Sequence, residues 1–444
     1  MEAKSLETLR HSDDFKVDTL DNGLFQIEVY FFSSLCDTDT IKKEIAHPFL
    51  VSPSADAFKI VLKSALACKI LENEAEIPGA LLQGNAVIQL QDAYYKLLAS
   101  SPANDKPTEA VAETTLQGPQ SAFSEDSETN LKLIRQRYPD PNLTAEQYKL
   151  GKVSRTKSYL VYDRNKVNRK VLSQLQQKIK EIDADMVMAG GQVETLITKT
   201  KIRWFPIMIV TERPDRTILN LSQGKIVLLI DGTPFVLIVP AVFYDFISAM
   251  DDVYQSFVVT RALVLLRYVG LLITMTLPAM YVAIVSYNPE ILKVQFTLSL
   301  AGSRAAVPYP SFIEVMIMLF LIEALVEASL RLPRYIGSTA TTVGGLILGQ
   351  AAQQAGLVSS VMIIVTSAVA ISNFLIPINA MSFAIRMAKY PLIFLASLFG
   401  IAGVVTGMFA IVLYAANLTS FGEPYFRFFL KENATSGYKE GDTE

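Results

Sequence analysis

The chain has 444 residues, enough for two or three domains, and 51% of them are hydrophobic while only 19% are charged. Residues 1–260 carry an ordinary amount of charge, whereas charge nearly vanishes over long runs of the remainder. The formal net charge of −3 excludes the basic surplus that a nucleic-acid partner requires. We therefore predict an α/β N-terminal domain followed by an all-α polytopic membrane domain.

The N-terminal half is predicted to contain two similar small α/β subdomains. In chain order we expect a loose N-terminus (1–23), the first subdomain (24–98), a linker rich in Pro, Ser and Thr (99–130) and the second subdomain (131–260). In each subdomain a strand and an amphipathic helix come first, and a pair of strands led by Gly84 or Gly224 comes last. No apolar run of the signal-peptide type opens the chain, so we expect this half to lie in the cytoplasm.

Residues 261–415 are predicted to form a membrane domain of about five apolar segments, at 268–285, 312–330, 337–355, 357–378 and 391–413. The short stretch 379–389 is expected to be interfacial, and the polar tail 416–444 to be frayed. If every segment crosses once, the Lys and Arg residues that border the segments are cytoplasmic and the tail faces outward. If 337–355 re-enters instead, the tail returns to the cytoplasm, and the sequence leaves both topologies open.

Three carboxylates lie in the second apolar segment, at Glu314, Glu323 and Glu327. Ionised carboxylates are costly in hydrocarbon, so they face a bundle interior, a partner or water. The helical repeat places Glu323 and Glu327 on one face, with Glu314 nearly opposite Glu323 at the outer interface. Three interpretations remain open: ion pairs with Arg331 and Arg334, a cation path, or contacts with a partner subunit.

Amides and glycines supply the other candidate residues of the membrane half. Gln350 and Asn373 lie at membrane depth, where they would form interhelical hydrogen bonds or line a pore. Small residues at helical spacing predict close helix packing or an oligomer interface, at Gly344, Gly345, Gly349, Gly403 and Gly407. No catalytic, nucleotide-binding or metal-ligand motif occurs, so we expect neither an enzyme nor a cofactor.

Five stretches carry a family resemblance: IVTERPDR (209–216), GKIVLLIDGTPFVLIVPAVFYDF (224–246), VPYPSFIE (307–314), RLPRYIGSTATTVGGLILGQAAQQAGLVS (331–359) and SFGEPY (420–425). They resemble the GerA family of spore germination proteins, the A-subunit class of nutrient germinant receptors. The STATTVGGLILG stretch also resembles the accessory branch of that family associated with the spore's dipicolinate channel. One departure follows Arg304, where Ala305 and Ala306 replace the acidic residue and glycine that are usual in the family.

The resemblance implies a multi-pass protein of the cell or spore inner membrane with a cytoplasmic two-part N-terminal domain. It implies a non-enzymatic subunit that oligomerises and forms or gates an ion-release path when partner subunits sense nutrient. The partners it implies are further copies of this chain, B- and C-type receptor subunits or other germination membrane proteins, and membrane lipid. Two alternatives stay open: a non-conducting accessory scaffold, and a stand-alone transporter, which the lack of an inverted repeat disfavours.

Overall fold

The computed structural model describes residues 7–427 except 66, 67, 72, 92, 101–107, 111, 116, 199–202 and 331–333, and only the backbone of 329, 330, 334–342 and 346. The first α/β unit is a five-stranded antiparallel sheet in the order β1-β2-β4-β5-β3. Its strands are β1 (Phe15–Asp21), β2 (Gln26–Phe32), β3 (Cys68–Leu71), β4 (Asn85–Leu90) and β5 (Ala93–Leu98). Its helices are α1 (Thr38–Ile41), continued by a π turn (Lys42–Ala46) into α2 (His47–Val51), then α3 (Ala55–Ser64), a 3₁₀ turn (Glu74–Glu76) and α4 (Ile77–Leu82).

The second α/β unit repeats the topology of the first. A two-stranded ribbon of β6 (Thr108–Glu109) and β7 (Ser121–Ala122) precedes it. Its strands are β8 (Leu143–Leu150), β9 (Thr156–Asp163), β10 (Ile209–Thr211), β11 (Ile226–Ile230) and β12 (Val236–Val239). Its helices are α5 (Ser127–Arg137), α6 (Arg169–Lys180), α7 (Gly190–Thr198), α8 (Pro214–Ser222), α9 (Phe243–Ile247) and α10 (Asp251–Tyr254). The sheet order is β8-β9-β11-β12-β10, with every neighbouring pair antiparallel. Corresponding strands therefore occupy the same places in the two sheets.

The turns of the two sheets agree with the glycine pattern of the sequence. Gly84 and Gly224 each adopt a positive φ immediately before a central strand, and Gly232 does so in the turn between β11 and β12. A residue with a Cβ is strained in this conformation, which explains why glycine leads each strand pair. The predicted fold class, two similar α/β subdomains followed by a helical part, is confirmed.

Two segments that were predicted to lack structure contribute elements. Strand β1 lies within the segment 1–23 that was expected to be loose, because Phe15 is buried against β2 although the other residues of the strand are mostly exposed. Helix α5 begins at Ser127, inside the expected linker 99–130, with Asp126 as its N-cap. The first residues of both α/β units therefore lie earlier in the chain than the apolar pattern indicated.

A buried ion pair joins the two α/β units. The Arg135 guanidinium of α5 donates to both carboxylate oxygens of Asp14, each at 2.6 Å, and to Ser12 Oγ at 2.7 Å. The side chains of Arg135 and Asp14 are 0% and 3% exposed. Arg135 also lies over the ring of Phe32, 4.2 Å from its centroid. Because the partners come from different units, this contact fixes one unit against the other.

The C-terminal half is helical: α11 (Phe257–Ser286), a 3₁₀ turn (Pro289–Ile291), α12 (Val294–Arg304), α13 (Ser311–Leu330), α14 (Arg334–Gln354), α15 (Ser360–Phe374) and α16 (Asn379–Asn417). Among the described residues, α11 and α16 are long and apolar enough to cross a membrane. Helix α11 is about 45 Å long at 1.5 Å per residue, so only part of it fits the hydrocarbon core. Its first turns lie beside the α/β half, where Arg267 forms an ion pair with Asp252 of α10.

Helix α16 is a helical hairpin, which corrects the prediction of one segment over 391–413. Gly400 has φ 59° and ψ −139°, a conformation outside the helical region, and the chain folds back there. A Cβ at Gly403 would lie 2.2 Å from the Leu395 carbonyl oxygen, and one at Gly407 would lie 2.7 Å from Leu392. The outgoing arm (379–399) thus packs tightly against the returning arm (401–417), and Pro391 is accommodated inside the outgoing arm.

Residues 418–427 of the predicted frayed tail are ordered against the second α/β unit. Strands β13 (Thr419–Ser420) and β14 (Glu423–Pro424) form a small hairpin. Ser420 Oγ donates to the Ile207 carbonyl at 2.8 Å and accepts from the Ala241 amide at 3.0 Å, and Tyr425 is fully buried. The second unit and the helical half share one hydrophobic core, whereas the first unit has separate cores.

Candidate functional site

A cluster of one carboxylate and two cations lies inside the helical half. Glu323 of α13 pairs with Arg386 and with Lys389, whose Nζ lies 3.0 Å from Glu323 Oε1, on the outgoing arm of α16. The three side chains are 18%, 10% and 3% exposed, respectively. Lys389 lies about 16 Å along the arm from the hairpin tip at Gly400. The cluster is therefore deep within the helices, far from either end of the arm.

This geometry decides between the interpretations that the sequence left open for Glu323. The carboxylate is ion-paired, but its partners come from α16, more than sixty residues away, and Arg331 lies outside the described residues. Residues 379–389 were predicted to be interfacial; they form the first part of the outgoing arm of α16, and Arg386 and Lys389 are buried there. One carboxylate faces two cations, so the cluster carries a net positive charge and ties α13 to α16.

A second polar cluster surrounds Glu314, near the end of α11 that is remote from the α/β half. The Glu314 carboxylate is fully buried and accepts from the Ser359 amide at 2.7 Å and from Tyr281 Oη at 3.1 Å. Arg304 Nε of α12 lies 3.3 Å from Glu314 Oε2, the oxygen that also accepts from Tyr281. Glu314 is enclosed by α11, α12 and the start of α15, and its expected position at the outer interface stays a prediction.

The remaining polar candidates are Glu327, Gln350 and Asn373. Glu327 and Gln350 are exposed on α13 and α14, while Asn373 is partly buried and its Oδ1 accepts from Ser382 Oγ at 3.1 Å. The structure therefore does not bring Glu314, Glu323, Gln350 and Asn373 together in one chain. Among the residues described here, no group of three or more His, Cys, Asp or Glu side chains is placed to hold a metal ion.

The candidate glycines divide into two groups. Gly403 and Gly407 pack inside the α16 hairpin, and Cβ atoms at Gly344 and Gly345 would meet Leu325 of α13 at 3.3 and 3.4 Å. A Cβ at Gly349 would meet nothing within 4 Å. Four of the glycines thus serve packing within the chain, and the face at Gly349 is left uncovered by the residues that the structure describes.

The second α/β unit contains a polar clamp that was not predicted from the sequence. Arg213 donates to the carbonyls of Glu113 and Pro119 at 2.9 and 3.0 Å, and Arg216 pairs with the Glu113 carboxylate at 3.0 Å. Glu212 accepts from the amides of Ala112 and Glu113. Burial by itself lowers the pKa of Arg213, but the carboxylate of Asp215 outweighs it and raises that pKa. The charged motif of 212–216 thus holds the predicted linker against the domain, a role that its alternating charges could have suggested.

Comparison with known proteins bears on all of these regions together. The model of the Bacillus/Clostridium GerA spore germination protein family matches residues 4–439. The chain belongs to the GerA family. It is 33% identical over 407 residues to spore germination protein KA of Bacillus subtilis (strain 168), a match that covers 90% of this chain and 75% of that one. It is 36% identical over 359 residues to spore germination protein B1 of the same organism, covering 80% and 74% of the two chains.

Membrane association of this GerA-family chain has two supports. A further relative is the uncharacterized membrane protein YfkQ of Bacillus subtilis (strain 168), 32% identical over 411 residues, which cover 91% of this chain and 80% of that one. The long apolar helices α11 and α16 agree with a membrane location.

A crystal structure of the N-terminal domain of the A subunit of the Bacillus megaterium spore germinant receptor GerK3 is similar to this chain, with a TM-score of 0.42 at 24% identity, covering 54% of this chain and 93% of that one.

Proposed function

We propose that this chain is a membrane subunit of a spore germinant-receptor-like complex, in which copies of its helical half oligomerise and form or gate an ion-release path. Nutrient would be sensed by partner subunits of the B and C type, and no enzymatic activity is proposed. The observation that carries the proposal is the uncovered face of α14.

Helix α14 presents polar and small residues that the single chain leaves exposed. Gln350, Gln353 and Gln354 are exposed, and no described residue lies within 4 Å of the position of a Cβ at Gly349. No charged residue occurs between Arg334 and Arg386, so the helix belongs to the apolar part of the chain. Amide groups facing lipid tails would lose their hydrogen bonds with water, which is unfavourable. A neighbouring copy packed at Gly349 would cover this position, and the amides would keep their hydrogen bonds if they were turned toward water.

The topology we propose follows from the ordered tail. Residues 418–427 dock on the second α/β unit, which supports a topology with both ends of the helical half on the same side of the membrane. This requires an even number of crossings, and it favours the topology in which the tail returns to the cytoplasm. With the α/β half cytoplasmic, the Glu314 cluster lies at the outer end of the helices.

The experiment is monovalent-cation efflux from liposomes that contain the purified chain, comparing wild type with Gln350→Leu. If the amide face lines the path, the apolar substitution reduces efflux while oligomers remain intact. Thr406→Val is the matched control, because Thr406 is an exposed hydroxyl of the returning arm that bonds its own helix at the Ala402 carbonyl, 2.8 Å away. Equal efflux from Gln350→Leu and wild type would refute the pore lining.

The second candidate is a non-conducting accessory scaffold for other germination proteins. It is favoured by the ion pairs of Glu314 and Glu323, because both carboxylates are already engaged by cations of the same chain. A scaffold predicts tight liposomes in every variant, together with loss of complex recovery in Gly349→Leu. Co-reconstitution with partner subunits then distinguishes a scaffold from a channel that is silent when alone.

A further inference from the structure

A cleft of about 600 Å³ lies where the second α/β unit meets the start of α16. One wall comes from α7 and from the irregular residues 203–206, including Glu194, Arg203 and Trp204. The other wall is apolar and comes from the outgoing arm of α16, including Phe383 and Met387. The volume is in the range of small-molecule sites, and the lining combines an apolar surface with two opposite charges.

The two charged groups share the cleft without neutralising each other. Neither Arg203 nor Glu194 has an ion-pair partner within 4 Å among the described residues. Burial lowers the pKa of Arg203, with an opposing contribution from Glu194, and burial raises the pKa of Glu194, with an opposing contribution from Arg203. Each charge is thus partly desolvated, and a ligand that supplies its counter-charge would relieve that cost.

Aromatic side chains place the cleft at the boundary between the apolar helices and the polar domain. The Trp204 amide donates to Tyr414 Oη at 3.4 Å, and the rings of Phe205 and Tyr414 lie 6.1 Å apart. Trp204 itself remains 40% exposed. Tryptophan and tyrosine concentrate at the headgroup level of bilayers, where an apolar body and a polar edge are both satisfied.

We propose that this cleft binds a phospholipid with a phosphate and a primary ammonium in its headgroup, as in phosphatidylethanolamine. The phosphate would bind Arg203, the ammonium would bind Glu194, and the start of an acyl chain would lie along Phe383 and Met387. A guanidinium recognises phosphate oxygens by paired hydrogen bonds, and an ammonium can donate to a carboxylate where a choline cannot. The proposal rests on the membrane placement given under the proposed function, but not on ion conduction.

The test is lipid retention by the full chain after reconstitution in equal parts phosphatidylethanolamine, phosphatidylglycerol and phosphatidylcholine. After extraction in mild detergent, the co-purified lipids are quantified. We expect about tenfold enrichment of phosphatidylethanolamine over phosphatidylcholine, the effect of one charge-assisted hydrogen bond. Glu194→Gln should shift the preference to phosphatidylglycerol, because Arg203 is then the only charged group of the pair. A misfolded variant would not gain a preference for phosphatidylglycerol. Arg203→Gln should abolish both preferences.

Arg169→Gln is the control, since Arg169 is exposed on α6 and does not line the cleft; it should behave as wild type. Equal retention of all three lipids, or a wild-type preference for phosphatidylglycerol, would overturn the proposal. Displacement of the lipid by glycerophosphoethanolamine at equal concentration would overturn it in favour of a soluble zwitterion. Lipid retention is measured without ion flux, so a negative result refutes lipid binding and leaves the channel proposal untouched. A negative efflux result likewise leaves the lipid proposal untouched.

Discussion

Substituting Glu323 by Gln should destabilise the helical half strongly, because Glu323 is the only carboxylate that contacts Arg386 and Lys389 in the described structure. Gln keeps the size of the side chain but removes its charge. The cations are left with side chains 10% and 3% exposed and with no counter-charge from the described part of the chain. Removing one partner of a buried ion pair costs about 3–5 kcal/mol in the free energy of unfolding.

The same geometry predicts a contrasting result for Lys389→Gln. That change removes the surplus cation and leaves Glu323 paired with Arg386, so the cluster becomes neutral. Its stability should stay close to that of the wild type, whereas Glu323→Gln should fall well below both. The two variants alter neighbouring positions of one cluster and differ only in whether charge balance is broken or restored.

Thermal unfolding of the full chain in detergent, followed by circular dichroism at 222 nm, measures this contrast. The same preparations are then compared in the liposome efflux assay. If Glu323→Gln melts like wild type and changes cation selectivity, the carboxylate lines a path and the ion-pair argument is refuted. If Lys389→Gln is as destabilised as Glu323→Gln, the charge-balance reasoning fails, and packing explains both losses.

Three further predictions concern the rest of the chain. Arg135→Met should cost about 3–5 kcal/mol of stability in denaturant unfolding, since it leaves Asp14 buried and unpaired. Burial raises the pKa of Asp14, but the Arg135 guanidinium outweighs this effect and the pKa is lowered. The ionised carboxylate therefore stabilises the fold above the unfolded-state pKa of about 3.9, and this stabilisation is lost as pH falls through the folded-state pKa. Thermal melts across that pH range should show this loss in the wild type and not in Arg135→Met. Gly403→Leu should prevent the α16 hairpin from closing and abolish recovery of folded protein on size-exclusion chromatography, whereas Gly349→Leu should yield folded chains that no longer oligomerise. Tyr425→Ala should release the tail and make it sensitive to limited proteolysis, and an unchanged digestion pattern would contradict the docking.

Much of the α/β half could be predicted from local pattern. The Gly-led strand pairs at Gly84 and Gly224 identified both copies of the unit, because a positive φ before a buried strand is a local requirement that the sequence must meet. The edge strand containing Phe15 escaped prediction, because an edge strand with one buried residue has little hydrophobic periodicity. The clamp of Arg213 and Arg216 escaped for a different reason, since its partners lie about a hundred residues earlier.

In the helical half the sequence determined which residues are costly to place in a membrane, and the tertiary structure decided what they contact. The charge of Glu323 in an apolar helix required a partner, but helical geometry alone offered nearby arginines, and only packing of α13 on α16 brought Arg386 and Lys389 to it. Likewise, the sequence does not distinguish Gly400 from the other small residues of this half, and only the structure shows that the chain reverses there. Local periodicity specifies the face of one helix, whereas the direction of the next helix depends on contacts between segments distant in the chain. That is why composition and motifs indicated an apolar helical half and the family, and only the fold determined the ion pairs and the hairpin of that half.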